Sequence, residues 1–304
     1  MVGTEQTDAV AVGGAAAARL RVSVLGRLRT WVHGREVDLG PARQRAVFAV
    51  LAARSGRAVG RDELVEAVWG ASPPATAVGS VYTYVCGLRR RLQPDPGRPP
   101  ASDLLTSTPH GYALRLPGDA LDAAVFERWR AEAVALAAAG DAEGAIGRLG
   151  DALRLWHGDP YAGLRAPHLE WERERLTELR LAAAEQWARL QLDRGRDDGL
   201  VAELAGLARA NCLHEPVHEL LIRALHRAGR HADALVVFRR LRRTLRDELG
   251  VEPGPDLRAA YRRVLAAGGR PPGRGEAAPA SAARGHGRDH AVPFRHDLAP
   301  ARTA

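Results

Sequence analysis

Hydroxyl and guanidinium side chains recur in the segment TAVGSVYTYVCGLRRRL, residues 76–92. On a helix that turns about 100° per residue, the large aliphatic residues share one stripe: Val78, Val81, Val85, Leu88 and Leu92. Small and polar residues share the opposite face: Thr76, Gly79, Ser80, Thr83, Gly87 and Arg90. Tyr84 and Arg91 flank that face on one side, and Tyr82 and Arg89 flank it on the other.

The chemistry open to this outer face is recognition of a nucleic acid. Hydroxyl groups can bond base edges or phosphates, a threonine methyl can contact thymine, and an arginine can bind guanine or a phosphate. An ordinary solvated helix surface is the alternative, since arginines near a helix C-terminus also suit the helix dipole. For an isolated helix this alternative is the simpler one, so the other segments of the chain must decide between the two.

Arginine supplies all 44 basic residues of the 304-residue chain, which contains no lysine. Residues 21–117 hold 14 arginines against seven acidic residues, whereas residues 118–269 hold 23 against 24. The positive charge is therefore concentrated in the first part of the chain, which indicates a polyanionic partner. The absence of lysine excludes a P-loop or Schiff-base lysine, and no GxSxG or HExxH pattern occurs. The sequence predicts no catalytic residues, no cofactor and no enzyme.

The two cysteines, Cys86 and Cys212, are too few for a four-cysteine zinc site and do not resemble a disulfide framework. Cys212 lies near His214 and His218, but a fourth ligand is missing, so we predict no metal site. The first twenty residues lack a signal-peptide pattern, and no apolar run is long enough for a membrane span. We expect a cytoplasmic, nucleoid-associated protein without a membrane segment.

Residues 20–117 predict a domain of three helices between two small β elements. Alternating residues over 20–39 predict two antiparallel strands that turn at His33 and Gly34. Start and stop signals predict helices over about 42–54, from Asp62 to Gly70 and over 76–92. A hairpin over residues 104–116 follows, with its turn at Pro109, His110 and Gly111.

Residues 118–268 predict a second domain that is helical almost throughout. Its helices are separated by short breaks centred on glycine, among them Gly140, Gly195 and Gly229. The 34-residue interval from Gly195 to Gly229 is the period of tetratricopeptide helix pairs. Residues 1–19 and 269–304 have few large apolar residues, so we expect a disordered leader and a disordered tail.

The ordered motifs RVSVLG, LGPARQRAVFAVLAARSGRAVGRDELVEAVWG, PPATAVGSVYTYVCGLRRRL and PHGYAL resemble the response-regulator-type winged helix of the SARP (antibiotic regulatory) transcriptional activators. The later segments ALRLWHGDPYAGL and LRDELGVEPGPDLRAAY resemble the bacterial transcriptional activator domain that follows this winged helix in the family. The resemblance covers roughly residues 20–268. It implies a mainly α fold with a small β component: a winged helix-turn-helix domain and a tetratricopeptide-like all-α domain.

The resemblance also implies that the helix over residues 76–92 is the recognition helix and that the hairpin is the wing. Together with the helical pattern, it predicts ten DNA-binding residues: Thr76, Ser80, Thr83, Tyr84, Arg89, Arg90, Arg91, Thr106, Thr108 and Tyr112. Gly79, Gly87 and Ala113 stand where family members commonly carry Asn, Arg and Arg, which predicts a loss of three DNA-facing donors.

The implied partners are double-stranded promoter DNA and RNA polymerase, including its sigma factor. The family pattern implies binding to tandem direct repeats as a side-by-side dimer, and activation of a secondary-metabolite pathway. Larger relatives continue into an NTPase module, so for this chain we expect the small form without nucleotide control.

Two other functional classes remain open at this point. The chain could be a helical-repeat scaffold for protein partners whose winged helix has lost DNA recognition through Gly79, Gly87 and Ala113. It could also be a ligand-sensing repressor, although no dedicated polar pocket is visible in the sequence.

Overall fold

The computed structural model describes residues 20–92, 104–196 and 199–268. The predicted disordered leader and tail lie outside these residues. Within the described ranges, none of the helices combines the length and the hydrophobicity that crossing a bilayer requires.

An antiparallel sheet of three short strands opens the described chain. Its strands are β1 (Leu20–Ser23), β2 (Arg29–Val32) and β3 (Arg35–Glu36), in that order across the sheet. The predicted turn at His33 and Gly34 is confirmed, with φ angles of 50° and 78°, and it joins β2 to β3. Two strands were predicted and the described residues contain three, because the strand predicted before this turn is divided into β1 and β2 by residues 24–28.

Three helices follow as predicted: α1 (Ala42–Ala53), α2 (Arg61–Trp69) and α3 (Ala77–Leu92). Val47, Val50 and Leu51 of α1 are fully buried, as their helical spacing indicates. Both α1 and α2 pack against α3. The β-strand β4 (Ala58–Gly60) lies between α1 and α2, where the sequence predicted only a connection.

The wing is a three-stranded sheet, whereas the sequence predicted a hairpin. Strands β5 (Leu105–Ser107) and β6 (Gly111–Leu114) form the predicted hairpin, and β4 pairs with the other edge of β6 to give the order β4-β6-β5. A Cβ atom at Gly111 would lie 1.9 Å from the carbonyl oxygen of Val59, so only glycine allows β4 to approach this closely.

The described residues of the second domain form seven helices: α4 (Asp122–Ala138), α5 (Ala142–Arg154), α6 (Pro167–Asp193), α7 (Leu200–Ala210), α8 (Glu215–Arg227), α9 (His231–Leu249) and α10 (Pro255–Gly268). Gly140, Gly195 and Gly229 follow α4, α6 and α8 with φ between 71° and 84°, which confirms the predicted glycine breaks. Consecutive helices α4 and α5, and α8 and α9, are packed pairs. The tetratricopeptide interpretation itself stays a prediction, and the 27-residue α6 departs from a repeat of equal helices.

The two domains share a continuous hydrophobic core. The backbone N–H of Val22 in β1 donates to the carbonyl oxygen of Ala120 at 2.7 Å. The N–H groups of Val24 and Leu25 donate to the carboxylate of Asp122, at the start of α4, at 2.9 to 3.2 Å. Helix α6 also packs on α1 and α2. The exact boundary between the domains, near residue 118, stays a prediction.

Candidate DNA-binding surface

Helix α3 buries the aliphatic stripe that the sequence predicts, with one exception. Val81, Val85 and Leu88 are fully buried, and Leu92 is 3% exposed. Val78 is 48% exposed, so its assignment to the inner stripe is wrong. Ala77 occupies the inward position at the first turn, which shifts the inner face by one residue at this end of the helix.

The opposite side of α3 is open to solvent. Thr76, Gly79, Thr83 and Arg90 are exposed, and Ser80 is partly buried. Tyr82, which the sequence placed beside this face and not among the DNA contacts, is 65% exposed and belongs to it. The guanidinium of Arg90 has no hydrogen bond or ion pair with another described residue, so it is available to an outside partner.

Two hydroxyl groups of α3 are already bonded within the helix. Ser80 Oγ donates to the carbonyl oxygen of Thr76 at 2.9 Å, and Thr83 Oγ1 donates to the carbonyl oxygen of Gly79 at 3.2 Å. A hydroxyl that donates in this way still has lone pairs with which to accept. On this surface Thr83 therefore offers an acceptor and a methyl group, and Arg90 offers the donors.

Arg89 joins α3 to the wing. Its Nε and Nη2 donate to the carbonyl oxygen of Leu105 at 3.0 and 2.8 Å, and Nη2 also donates to Ser107 Oγ at 3.0 Å. The guanidinium is therefore engaged by the first strand of the hairpin. This geometry favours a positioning role, in which Arg89 fixes the wing relative to α3.

Tyr84 and Arg91 contact other parts of the domain from the other side of α3, where Tyr84 is partly buried and Arg91 is exposed. The ring of Tyr84 stacks on Trp69 of α2 with centroids 6.4 Å apart. Arg91 Nη1 donates to the carbonyl oxygen of Asp38 at 2.9 Å and lies 3.4 Å from Asp38 Oδ2. These contacts hold α3 against α2 and against the segment that follows β3.

The predicted wing residues mainly hold the wing together. Thr106 Oγ1 donates to the carbonyl oxygen of Ala113 at 3.3 Å, and Thr108 Oγ1 accepts from the N–H of Gly111 at 3.0 Å. Tyr112 is only 4% exposed, so its side chain is part of the core. The residues at the tip of the wing, Pro109 and His110, are exposed.

One basic residue near the wing was missed. The N–H of Arg61, at the start of α2, donates to the carbonyl oxygen of His110 at 3.0 Å, and its side chain is exposed. Arg61 is about fifty residues from the wing in sequence, and only the pairing of β4 with β6 brings it there. A helix-start arginine carries no signal of that proximity.

The predicted loss of three donors stays a prediction, and the three positions differ in exposure. Gly87 is buried, and a Cβ atom there would lie 2.6 Å from Gln44 Oε1 of α1. Ala113 is 5% exposed. Neither side chain position faces outward, because Gly87 allows α1 to approach α3 closely and Ala113 lies in the central strand of the wing. Gly79 is exposed with free space around it, so an outward donor is absent there.

The site has no arrangement typical of a metal centre. In the part of the chain that the structure describes, no three His, Cys, Asp or Glu residues come together as a metal-binding group. His218 Nδ1 lies 3.1 Å from the carbonyl oxygen of His214, a contact within one helix turn.

Both domains match known families. The family described as Transcriptional regulatory protein, C terminal, matches residues 34–114, and the family described as Bacterial transcriptional activator domain matches residues 121–265. The winged helix with its wing and the helical domain lie in these two segments, in the same order.

Curated relatives share most of this chain. The regulatory protein AfsR of Streptomyces coelicolor is 41% identical over 249 residues, which are 82% of this chain but only 24% of AfsR. The regulatory protein DnrI of Streptomyces peucetius is 34% identical over 255 residues, 82% of this chain and 93% of DnrI. These relatives are named as regulatory proteins and not as enzymes.

A solved structure shows the same architecture. Mycobacterium tuberculosis EmbR, in complex with a low-affinity phosphopeptide, superposes with a TM-score of 0.76 at 35% identity over 82% of this chain and 65% of that one. The fold, the two family matches and the near full-length match to DnrI agree. The chain therefore belongs to the SARP-type family of transcriptional regulators.

Proposed function

We propose that this regulator is a sequence-specific DNA-binding activator that places the outer face of α3 in the major groove. The observation that carries the proposal is the two-sidedness of α3. Apart from Val78, its valine and leucine residues are buried, while Thr83 and Arg90 remain in solvent on the other side. A helix of this kind beside a wing can dock in the groove without losing its packing on the domain.

The individual side chains suggest different roles at such an interface. Thr83 can accept a hydrogen bond from a base edge and contact a thymine methyl, and Arg90 can bind guanine or a phosphate. Arg61 and His110 at the wing tip lie where they can contact the sugar-phosphate backbone of DNA beside the major groove. Arg89 and Tyr84 then contribute indirectly, since their contacts fix the wing and α3.

The wider assembly is proposed on family grounds. Two copies bind tandem direct repeats side by side on one DNA face, with the repeats about one helical turn, ~10 to 10.5 bp, apart. The helical domain contacts RNA polymerase, including its sigma factor, at promoters of a secondary-metabolite pathway. This takes place on the nucleoid in the cytoplasm.

The decisive experiment is an electrophoretic shift with DNA from upstream of the protein's own gene. We expect saturable binding that resists nonspecific competitor. The double variant Thr83→Ala with Arg90→Ala should abolish the specific complex, while helical circular dichroism is retained. Arg209→Ala, an exposed arginine at the end of α7, is the matched control and should bind as the unmodified protein does.

A protein-interaction scaffold predicts a different result. The protein would then bind DNA weakly and independently of sequence, and moderate salt would remove the complex, since only phosphate contacts would remain. A double variant that binds like the unmodified protein would contradict the assignment of the α3 face.

A further inference from the structure

A cavity of about 630 Å³ lies between the winged-helix domain and the helical domain. Its walls come from residues 27–30, which lead into β2, from residues 36–39, from Arg45 of α1, and from residues 162–164, which connect α5 to α6. This volume is in the range of small-molecule sites, which often form between domains.

The acidic residues of the cavity are already neutralised. Arg29 holds Glu36 through two hydrogen bonds of 2.9 and 2.6 Å. The carboxylate of Asp38 accepts from the N–H of Gly40 at 2.8 Å and lies 3.4 Å from Arg91 Nη1. These pairs leave no uncompensated negative charge on the cavity wall.

Two arginines on the same wall are not neutralised. The side chains of Arg27 and Arg45 form no hydrogen bond or ion pair with any residue that the structure describes. Arg45 Nε is buried. The net charge offered to an occupant is therefore positive, and a buried N–H group without an acceptor, such as Arg45 Nε, is costly unless a partner supplies one.

A second buried polar atom lies at the same place. Thr30 of β2 lines the cavity, its residue is fully buried, and its Oγ1 has no bonding partner among the described residues. Most buried hydroxyl groups in proteins are bonded, so an unbonded one that lines the same cavity as an unpaired arginine is informative. Both groups can donate to the oxygen atoms of an anion. Leu28, Val37 and Leu164 provide apolar surface around them.

We infer that this cavity binds a small organic anion, whose carboxylate or phosphate group pairs with Arg45, Arg27 and Thr30 while its apolar body contacts the leucine and valine walls. No residue of this site belongs to the α3 surface described above. The site gives the chain a ligand-binding function in addition to binding DNA.

Contacts from the cavity wall connect a bound ligand to α3. An effect of the ligand on DNA binding rests on the proposed function. Asp38 on the cavity wall bonds to Arg91 of α3. The neighbouring carbonyl oxygen of Leu39 accepts from Gln44 Nε2 at 2.6 Å, and Gln44 packs on Gly87 of α3. On the other wall, the N–H of Ala162 donates to the carbonyl oxygen of Gly26 at 3.0 Å. A ligand would therefore contact both domains and the segment that supports the recognition helix.

The test uses two fluorescent probes that differ by one charged group. 8-Anilinonaphthalene-1-sulfonate is an organic anion with an apolar body, and N-phenyl-1-naphthylamine is its uncharged counterpart. We expect saturable binding of the sulfonate to the full chain. Arg45→Gln should weaken it at least about tenfold, as for loss of a charge-assisted bond, and should leave binding of the uncharged probe unchanged.

Thr30→Val keeps the test decisive if the arginine variant folds poorly. Valine has nearly the same shape as threonine and lacks only the unbonded hydroxyl group. The midpoint of thermal unfolding should therefore be maintained or raised, while binding of the sulfonate should weaken several-fold. Arg209→Gln, remote from the cavity, should change neither probe's binding. The inference is overturned if the sulfonate shows no saturable site, if both probes bind equally well, or if Arg45→Gln and Thr30→Val bind it like the unmodified protein.

The proposed function is tested separately by the electrophoretic shift with the α3 double variant. Loss of DNA binding by that variant, with unchanged sulfonate binding, is the expected pattern. Failure of the unmodified protein to bind DNA would overturn the proposed function and leave the ligand site standing.

Discussion

Glu203 of α7 is a buried carboxylic acid whose charged form is unfavourable. Its side chain is 8% exposed, and neither carboxylate oxygen has a hydrogen-bond partner among the residues described. Burial raises the pKa of Glu203 to about 7, because the charged form loses its hydration. In the unfolded chain the same group has an ordinary pKa near 4.5. The folded protein therefore holds a proton that the unfolded chain releases.

This difference predicts a pH-dependent stability with a definite sign. Between pH 4.5 and 7 the folded state binds more protons at Glu203, so the free energy of unfolding decreases as pH rises through this window. Between pH 5 and 8, the free energy of unfolding of the unmodified protein should decrease by up to about 3 kcal/mol relative to that of Glu203→Gln. Urea unfolding across this range measures it, with the exposed Glu170→Gln as the control. Parallel pH profiles for the unmodified protein and Glu203→Gln would contradict the prediction.

The burial of single residues in α3 shows which positions helical spacing can predict. Helical spacing correctly places Val81 inside and Thr83 and Arg90 outside, because those positions lie at the centres of their faces. It fails at Val78 and Gly87, which lie where neighbouring helices end or approach. Burial there depends on Gln44 and on the start of α3, and neither is encoded in the spacing of α3 itself.

At the scale of elements, the contact between α3 and the wing depends on Arg89, and its role can be separated from that of Arg90. Arg89 is bonded to Leu105 and Ser107, whereas Arg90 is free among the described residues. Arg89→Ala should weaken specific DNA binding about tenfold because the wing is no longer fixed. It should leave the salt dependence unchanged, since no phosphate contact is removed. If Arg90 contacts a phosphate, Arg90→Ala should reduce the slope of log K against log salt by about one.

Fluorescence anisotropy at several salt concentrations provides the measurement. Hydrogen exchange adds a second readout, because amides of residues 105–107 should exchange faster in Arg89→Ala and not in Arg90→Ala. A reduced salt slope for Arg89→Ala with unchanged exchange would instead make Arg89 a direct phosphate contact.

The elements themselves differ in how visible they are in sequence. The three helices of the first domain were predicted within a few residues, because each shows a helical period with start and stop signals. Strand β4 has only three residues, and it exists because it pairs with β6 at Gly111. A strand defined by a distant partner has no local signature, and the third strand of the wing was missed for this reason.

At the scale of the whole molecule, the order of the two domains could be predicted from the succession of motifs. The packing of the domains against each other could not. The cavity between the domains is lined by residues 27–30 and 36–39, by Arg45, and by residues 162–164. The shared core likewise joins β1 to α4 and α6 to α1. Contacts between segments that lie about a hundred or more residues apart depend on how two surfaces fit together. The periodicity of a single segment does not reveal this fit.

Asp122 carries the last prediction, because it ties β1 to α4 across the two domains. Its carboxylate accepts from the N–H groups of Val24 and Leu25, both of which are fully buried. Burial raises the pKa of Asp122, while the backbone bonds favour its charged form. Asp122→Ala should lower the free energy of unfolding by about 3 kcal/mol, since it leaves two buried donors without an acceptor.

The shared core leads us to expect one cooperative calorimetric transition for the unmodified protein. Asp122→Ala should lower its midpoint or divide it into two transitions, one for each domain, because the link between β1 and α4 is lost. Asp119→Ala removes an exposed carboxylate three residues earlier and should change the midpoint little. Two separate transitions in the unmodified protein would show that the domains unfold independently, and an occupant of the cavity between them could then bind one domain without affecting the other.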